Sequence, residues 1–146
     1  MVILSKFAEN LLALMSEHNL KAPALAKAIH TDRTNITRYL RAERLPLFKV
    51  FTALIEYFEV SADVLLGRVE YCEVEKFAPV APFGDTLRRV MRETKTTQYA
   101  IEKDLRVSGG SMHDWLTNKS LPTVESLVKL AEYMEIPVDY LLGRIS

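Results

Sequence analysis

The sequence predicts an all-α protein made of two tandem five-helix domains of the same kind. Residues 7–68 align with residues 83–144 without a gap, so that Phe7 corresponds to Phe83 and each later residue to the one 76 positions on. Apolar residues recur at helical spacing in both copies, and strand-like alternation is nearly absent inside them. The period exceeds the roughly 20–50 residues of solenoid repeats, which indicates a duplicated small domain.

The first two helices of each copy follow from apolar spacing and from a proline. Two sets of apolar residues at helical spacing predict the buried face of the first helix: Phe7, Leu11, Leu14 and Met15, then Phe83, Leu87, Val90 and Met91. A second, short helix is expected to start near Pro23, because proline suits a first turn. Its predicted core residues are Leu25 and Ile29 in copy one, and Ile101 and Leu105 in copy two.

The third helix of each copy follows a short-side-chain cap and ends before a proline. Asp32 and Ser108 are the predicted N-caps. The helix is expected to stop before Pro46 and Pro122, because the residue before a proline disfavours helical geometry. Its predicted buried residues are Ile36, Tyr39 and Leu40 in one copy, and Met112, Trp115 and Leu116 in the other.

The fourth helix carries the longest apolar stripe, and a short fifth helix closes each copy. The stripe is predicted to consist of Phe48, Phe51, Leu54, Ile55 and Phe58, or of Val124, Leu127, Leu130, Ala131 and Met134. Thr123 is a predicted cap of the fourth helix and Ser61 of the fifth, where copy two has Pro137. Gly67 and Gly143 suit the left-handed position after a helix end.

The segment Val69–Pro82 has no counterpart in the repeat and is predicted to be a linker. The predicted organisation is therefore a domain over 1–68, a linker over 69–82 and a second domain over 83–146. Residues 71–76 alternate weakly, as a short strand would, and the Pro-containing tail favours an extended form. At full extension the linker reaches about 46–50 Å, which exceeds the spacing of roughly 34 Å between DNA half-sites one helical turn apart.

Composition limits the classes of function and the cellular compartments that fit this chain. The formal net charge is zero, so DNA binding is expected only where basic residues are concentrated locally. The single cysteine, Cys72, allows no intramolecular disulfide and no cysteine-rich zinc site, which favours a reduced, cytoplasmic setting. The apolar start is too short for a signal or membrane segment, so no membrane partner is expected. The histidines lack metal-ligand spacing and no glycine-rich phosphate loop is present, which predicts a non-enzyme without a cofactor.

Both copies resemble the Cro/phage-repressor (XRE-type) helix-turn-helix domain. In copy two the resemblance lies in Thr97-Gln98-Tyr99-Ala100-Ile101-Glu102, Leu105-Arg106-Val107-Ser108, Met112, Trp115, Pro122 and residues 138–144. In copy one it lies in Leu25-Ala26, Ile29, Thr31-Asp32, Ile36, Tyr39, Pro46 and residues 63–68. The family's usual glutamate after the aromatic is Leu40 or Leu116 here, and its usual glycine is Ala42 or Asn118. The resemblance implies a lambda-repressor-like fold whose third helix enters the major groove.

In copy one, the face of the third helix opposite the predicted core is polar and basic. The candidate base contacts are Arg33, Thr34, Asn35, Thr37 and Arg38. Arginine can bond two acceptors on guanine, and asparagine can pair with adenine. Arg41, Arg44 and Lys49 follow where phosphate contacts are expected. Between Thr31 and Lys49 the sequence has five basic and two acidic residues.

The corresponding face of copy two is poorer in side chains that contact DNA. It offers Gly109, Gly110, Ser111 and His113, with Gln98 and Lys119 as candidate phosphate contacts. Between Val107 and Glu125 there is one basic residue against two acidic ones. Glycines at a helix start let backbone N–H groups approach a phosphate, but they read few bases. A weakly specific or degenerate second copy is the alternative.

The sequence therefore predicts a DNA-binding transcriptional regulator, acting as a repressor, with double-stranded DNA as its partner. The two copies could form an intramolecular pseudo-dimer, or two chains could form a homodimer. The alternative is a protein-interaction module, such as an antitoxin or a regulator-binding protein, that keeps the fold. Copy one has Leu12, Ala13 and Leu47 where copy two has Arg88, Arg89 and Thr123, which suggests either a protein partner surface or a larger core.

Overall fold

The computed structural model describes residues 2–146, which form ten α-helices and no strand. The first five are α1 (Val2–Glu17), α2 (Ala22–Ala28), α3 (Arg33–Leu40), α4 (Phe48–Phe58) and α5 (Ala62–Leu65). The second five are α6 (Phe83–Glu93), α7 (Gln98–Leu105), α8 (Gly109–Leu116), α9 (Val124–Tyr133) and α10 (Val138–Leu141). The all-α class is therefore confirmed. Among these residues no helix combines the length and apolar character needed to cross a bilayer.

The chain divides into two compact units, one ending at Phe77 and one spanning Ala78–Ser146. We call the described residues 2–77 unit 1 and Ala78–Ser146 unit 2. The division falls inside the segment predicted as linker. The N–H groups of Ala78 and Ala81 donate to the carbonyls of Arg144 and Leu142, at 2.9 and 3.0 Å. The second half of that segment therefore packs on the end of unit 2.

Each unit has one apolar core built by the predicted stripes. In unit 1 the central buried side chains are Phe7, Leu11, Leu25, Ile36, Phe51, Leu54 and Ile55. In unit 2 they are Leu87, Val90, Ile101, Met112, Leu127, Leu130 and Ala131. Five residues predicted as buried are only half-buried: Leu14, Leu40, Met91, Leu105 and Leu116. Leu40 and Leu116 each lie at the last position of their helix.

The predicted caps are confirmed except at Asp32. The side chains of Ser61, Ser108 and Thr123 each accept a bond from the backbone N–H three residues on. Asp32 occupies the N-cap position of α3 but makes no side-chain cap bond. The weak alternation over residues 71–76 also gives no strand, because these residues have no neighbouring strand with which to pair.

Residues in the unfavourable left-handed backbone conformation also recur 76 positions apart. Within residues 2–146, eight residues other than glycine have positive φ, and they form four pairs 76 positions apart: Asn19 and Lys95, His30 and Arg106, Ala42 and Asn118, Glu59 and Glu135. Gly67 and Gly143 form a fifth pair with φ of 74° and 77°. Each of these residues lies one or two positions after the end of a helix, where a left-handed residue lets the chain turn.

Ala42→Gly is expected to raise the free energy of unfolding by about 1 kcal/mol. Ala42 has φ of 56°, a conformation in which Cβ is crowded and which glycine adopts freely. Chemical denaturation followed by circular dichroism measures the change. Asn19→Gly is the control, because Asn19 has φ of 52° and asparagine tolerates this conformation better than alanine, so the gain should be smaller. A loss of stability in Ala42→Gly would contradict the assigned strain.

An arginine–aspartate pair closes the last helix of each unit. Arg144 Nη1 lies 2.5 Å from Asp139 Oδ1, and both side chains are 1% exposed. Arg68 Nη1 lies 2.6 Å from Asp63 Oδ1, with exposures of 19% and 5%. The repeat therefore places the same ion pair in two environments that differ in burial.

Candidate nucleic-acid interface

Helix α3 is fixed to unit 1 by two buried side chains on one face. Ile36 and Tyr39 lie inside, one helical turn apart. The ring of Tyr39 meets that of Phe7 edge-on with centroids 6.1 Å apart, and Phe7 also lies 6.4 Å from Phe51. Because α1 and α4 both hold this aromatic cluster, the direction of the opposite face of α3 is set by the core.

The face of α3 directed to solvent carries most of the predicted contact residues. Arg33, Thr34 and Arg38 are exposed, and Asn35 and Thr37 are half-buried. Around the end of the helix and the start of α4, the exposed basic residues are Arg41, Arg44 and Lys49. The predicted set therefore lies in a continuous segment, 33–49, that contains α3, the following loop and the start of α4, and six of its eight side chains are exposed.

Asn35 and Arg44 of this face form a hydrogen-bonded cluster with Thr31 and the buried Tyr39, and we call this cluster the Asn35 network. Asn35 Nδ2 donates to Thr31 Oγ1 at 3.0 Å, and Arg44 Nη2 donates to Asn35 Oδ1. Tyr39 interacts with both Arg44 and Thr31 through its hydroxyl. Burial raises the pKa of Tyr39, and the charge and hydrogen bond of Arg44 partly oppose that rise.

The Asn35 network changes the roles expected of two residues. The amide nitrogen and oxygen of Asn35 both form hydrogen bonds within the protein. Asn35 therefore positions Arg44, and its amide is not free to pair with a base as the sequence predicted. Arg44 in turn is anchored at one nitrogen of a guanidinium that has five N–H donors, so it retains donors for another group. Thr31 and Tyr39 were not predicted as contributors to this face, and nothing in their spacing pointed to it.

The remaining cations of the face are not neutralised by nearby carboxylates. Within residues 2–146, no ion pair involves Arg33, Arg38 or Arg41. Thr37 donates its hydroxyl hydrogen to the carbonyl of Arg33 at 3.1 Å, which leaves it able only to accept. Exposed, unneutralised arginines beside each other produce a local positive potential in a chain of zero net charge.

In unit 2 the equivalent face is exposed but carries less charge. Gln98, Gly109, Gly110, His113 and Lys119 are all exposed. A Cβ built on Gly110 meets nothing closer than Ser108 Oγ at 4.0 Å, so packing does not require glycine there. At Gly109 the nearest atom is the carboxylate oxygen Oε1 of Glu102, at 3.4 Å. That carboxylate opposes the approach of an anion to the start of α8.

Helix α8 is held from its C-terminal end by residues of α6, an arrangement unit 1 lacks. Asn118 Oδ1 accepts from the backbone N–H of Gly84 at 2.7 Å, and its Nδ2 donates to Asp85 Oδ1 at 3.1 Å. Arg88 donates to the carbonyl of Leu116 and to Asp85. Arg88, an exposed cation of α6, therefore has a structural role. Unit 1 has alanine and leucine, Ala42 and Leu12, at the positions of Asn118 and Arg88.

Unit 1 also exposes apolar side chains at two of the positions that differ between the copies. Leu47, at the N-cap of α4, is 75% exposed, and Leu12 on α1 is 56% exposed. Val50 and Ala53 are half-buried. Leu12 and Leu47 therefore do not enlarge the core of unit 1, which was one of the two interpretations of their apolar character.

The chemistry offered by the face of unit 1 is hydrogen bonding and positive charge. Among residues 2–146, no three His, Cys, Asp or Glu side chains are grouped so as to hold a metal ion. Comparison with models of protein families, with curated protein sequences and with solved structures gave no match.

Proposed function

We propose that the chain is a sequence-specific double-stranded DNA-binding transcriptional regulator that represses by occupying a promoter. In this proposal each unit is a lambda-repressor-like helix-turn-helix domain of the XRE type, and α3 of unit 1 enters the major groove. The observation that supports it best is the exposed, unneutralised set Arg33, Thr34 and Arg38 on the face of α3 opposite its buried residues.

The proposed contacts divide into base and phosphate contacts. Arg33 and Arg38 have the donors to bond guanine O6 and N7 together, and the methyl group of Thr34 suits a thymine methyl. Arg41, Arg44 and Lys49 are assigned to phosphates, which fix orientation without reading sequence. The Asn35 network supports this division, because it holds the Arg44 guanidinium at the edge of the face in a defined position.

Unit 2 is assigned a secondary part in DNA binding. The open space at Gly110 suits close approach of a phosphate to backbone N–H groups at the start of α8. His113 is the one side chain of this face assigned to a base, and Gln98 and Lys119 are assigned to phosphates. The nearby Glu102 and the low positive charge argue for weaker binding by this unit than by unit 1.

Arg44→Ala is expected to weaken binding to every duplex by a similar factor and to reduce the salt dependence. Removing one phosphate contact lowers the slope of log K against log salt by about 0.9 for B-form DNA. Gel-shift titrations on one mixed-sequence duplex at several salt concentrations measure this slope. Lys76→Ala, which removes an exposed cation outside the face, should leave the slope unchanged. An unchanged slope in Arg44→Ala would remove Arg44 from the proposed interface.

A protein-interaction module is the second candidate function, and a specific observation favours it. Leu12 and Leu47 are exposed in unit 1 at positions where unit 2 has arginine and threonine, and exposed apolar patches mark surfaces that bind partners. In this alternative the partner is a protein, such as a toxin or another regulator. It predicts no binding to the mixed-sequence duplex even at low salt, which separates it from the first proposal.

A further inference from the structure

Unit 2 contains a partly open pocket of about 280 Å³ between the end of α7, α8 and α9. Its wall contains the cations Arg106 and Lys129, the serines Ser108, Ser111 and Ser126, and Trp115. Three aliphatic residues complete the wall. No acidic residue lines it. The volume lies just below the range of roughly 300–1,000 Å³ typical of small-molecule sites, so the occupant must be small.

The repeat shows which substitutions accompany this pocket. Where the pocket wall of unit 2 has Ser111, unit 1 has Asn35, whose side chain bonds to Arg44. Ser126 and Lys129 correspond to Val50 and Ala53. At these three wall positions, unit 2 therefore has a serine in place of the asparagine, and a hydroxyl and a cation in place of two apolar side chains.

The polar groups of the wall are suited to an anion. Neither Arg106 nor Lys129 forms an ion pair within residues 2–146. Ser111 Oγ accepts a bond from Ser108 Oγ at 3.0 Å, and Ser126 Oγ accepts one from Thr123 Oγ1 at 3.1 Å. A serine hydroxyl that accepts in this way keeps its own hydrogen to donate. The pocket thus offers two positive charges and two hydroxyl donors without a competing carboxylate in its wall.

We propose that this pocket binds a small organic anion, namely a carboxylate carried on a compact apolar or aromatic body. The carboxylate would be bound by Arg106 and Lys129, with the hydroxyls of Ser111 and Ser126 as further donors. The apolar body would pack on Trp115 and the aliphatic part of the wall. The proposal concerns unit 2 alone and does not depend on whether unit 1 binds DNA.

Trp115 makes the proposal directly testable, because it is the only tryptophan of the chain and lies in the pocket wall. The full-length protein is titrated with benzoate while tryptophan emission is recorded with excitation near 295 nm. Benzamide, which has the same shape without the charge, and inorganic phosphate, which has charge without the apolar body, are titrated in parallel. We expect a saturable change in emission with benzoate and at least tenfold weaker binding of the other two.

Two substitutions locate the site. Lys129→Gln and Arg106→Gln are each expected to weaken benzoate binding about tenfold, since each removes one charged partner of the carboxylate. Lys103→Gln removes an exposed cation of α7 outside the pocket and should leave binding unchanged. Circular dichroism verifies that each variant remains folded; both substituted positions are on the surface.

The outcomes separate the parts of the proposal. A saturable response to benzoate that is weakened by Lys129→Gln and Arg106→Gln but not by Lys103→Gln supports it. No saturable response overturns it. Equal binding of benzamide overturns the anionic specificity, equal binding of phosphate overturns the need for an apolar body, and unchanged binding in both pocket variants overturns the location.

Discussion

Asp139→Asn is expected to lower the free energy of unfolding by about 3–5 kcal/mol, the usual loss when one partner of a buried ion pair is removed. Arg144 and Asp139 are both 1% exposed, so the substitution leaves the Arg144 guanidinium buried without its charged partner. Guanidinium chloride denaturation followed by the emission of Trp115 reports on unit 2. A loss this large exceeds half the stability of many small domains.

Asp63→Asn is the matched control for that substitution, because Asp63 and Arg68 occupy the same positions in unit 1. Arg68 is 19% exposed, so water can solvate its guanidinium when the carboxylate is lost. The expected loss is correspondingly smaller, about 1–2 kcal/mol, and is measured by circular dichroism. Equal losses at the two positions would show that burial does not govern the strength of the pair.

Arg38→Ala is expected to abolish discrimination at one base position of the DNA site, at a cost of about 1–3 kcal/mol for the preferred sequence. Sequences that already carry the wrong base at that position should be bound nearly as before. Competition gel shifts with single-position variants of the preferred duplex measure this pattern. The fold should not change, because the Arg38 side chain is exposed on α3.

Arg44→Ala is the comparison variant for Arg38→Ala, because the two are expected to change the sequence dependence of DNA affinity differently. Loss of a phosphate contact weakens all sequences alike, whereas loss of a base contact weakens one sequence selectively. If Arg38→Ala weakens all duplexes by the same factor, Arg38 contacts phosphate and the assignment of α3 to base recognition at that residue is wrong.

Features determined by short stretches of sequence were predictable. Helix spacing, proline positions and the caps at Ser61, Ser108 and Thr123 depend on residues within one turn of each other, and the structure has them as expected. Asp32 is the exception. Its carboxylate occupies the cap position of α3 but makes no cap bond, a matter of side-chain rotation that sequence does not record.

Features that join distant positions were not predictable. Arg44 reaches Asn35 across a turn, and Asn118 reaches Gly84 across 34 positions. Single-sequence spacing carries no signal for such contacts. The residues that hold α3 and α8 in place were therefore missed, although the exposed side chains of both helices were identified. Arg88 illustrates the result, since this exposed cation of α6 donates to the carbonyl of Leu116 at the end of α8.

The pocket of unit 2 could not have been predicted either, because it depends on volumes and not on motifs. Three of its wall residues, Ser111, Ser126 and Lys129, stand where unit 1 has Asn35, Val50 and Ala53. Internal duplication thus provides a comparison of positions within a single chain.

Selection of bound sequences from a pool of random duplexes at low salt tests most directly whether α3 of unit 1 recognises DNA. Wild-type protein and the double variant Arg33→Ala/Arg38→Ala are carried through the same rounds, followed by sequencing. The expected result is an enriched motif with wild type that is lost or shortened with the double variant. Absence of any enriched motif with wild type, or the same motif with both proteins, would contradict DNA recognition by this helix.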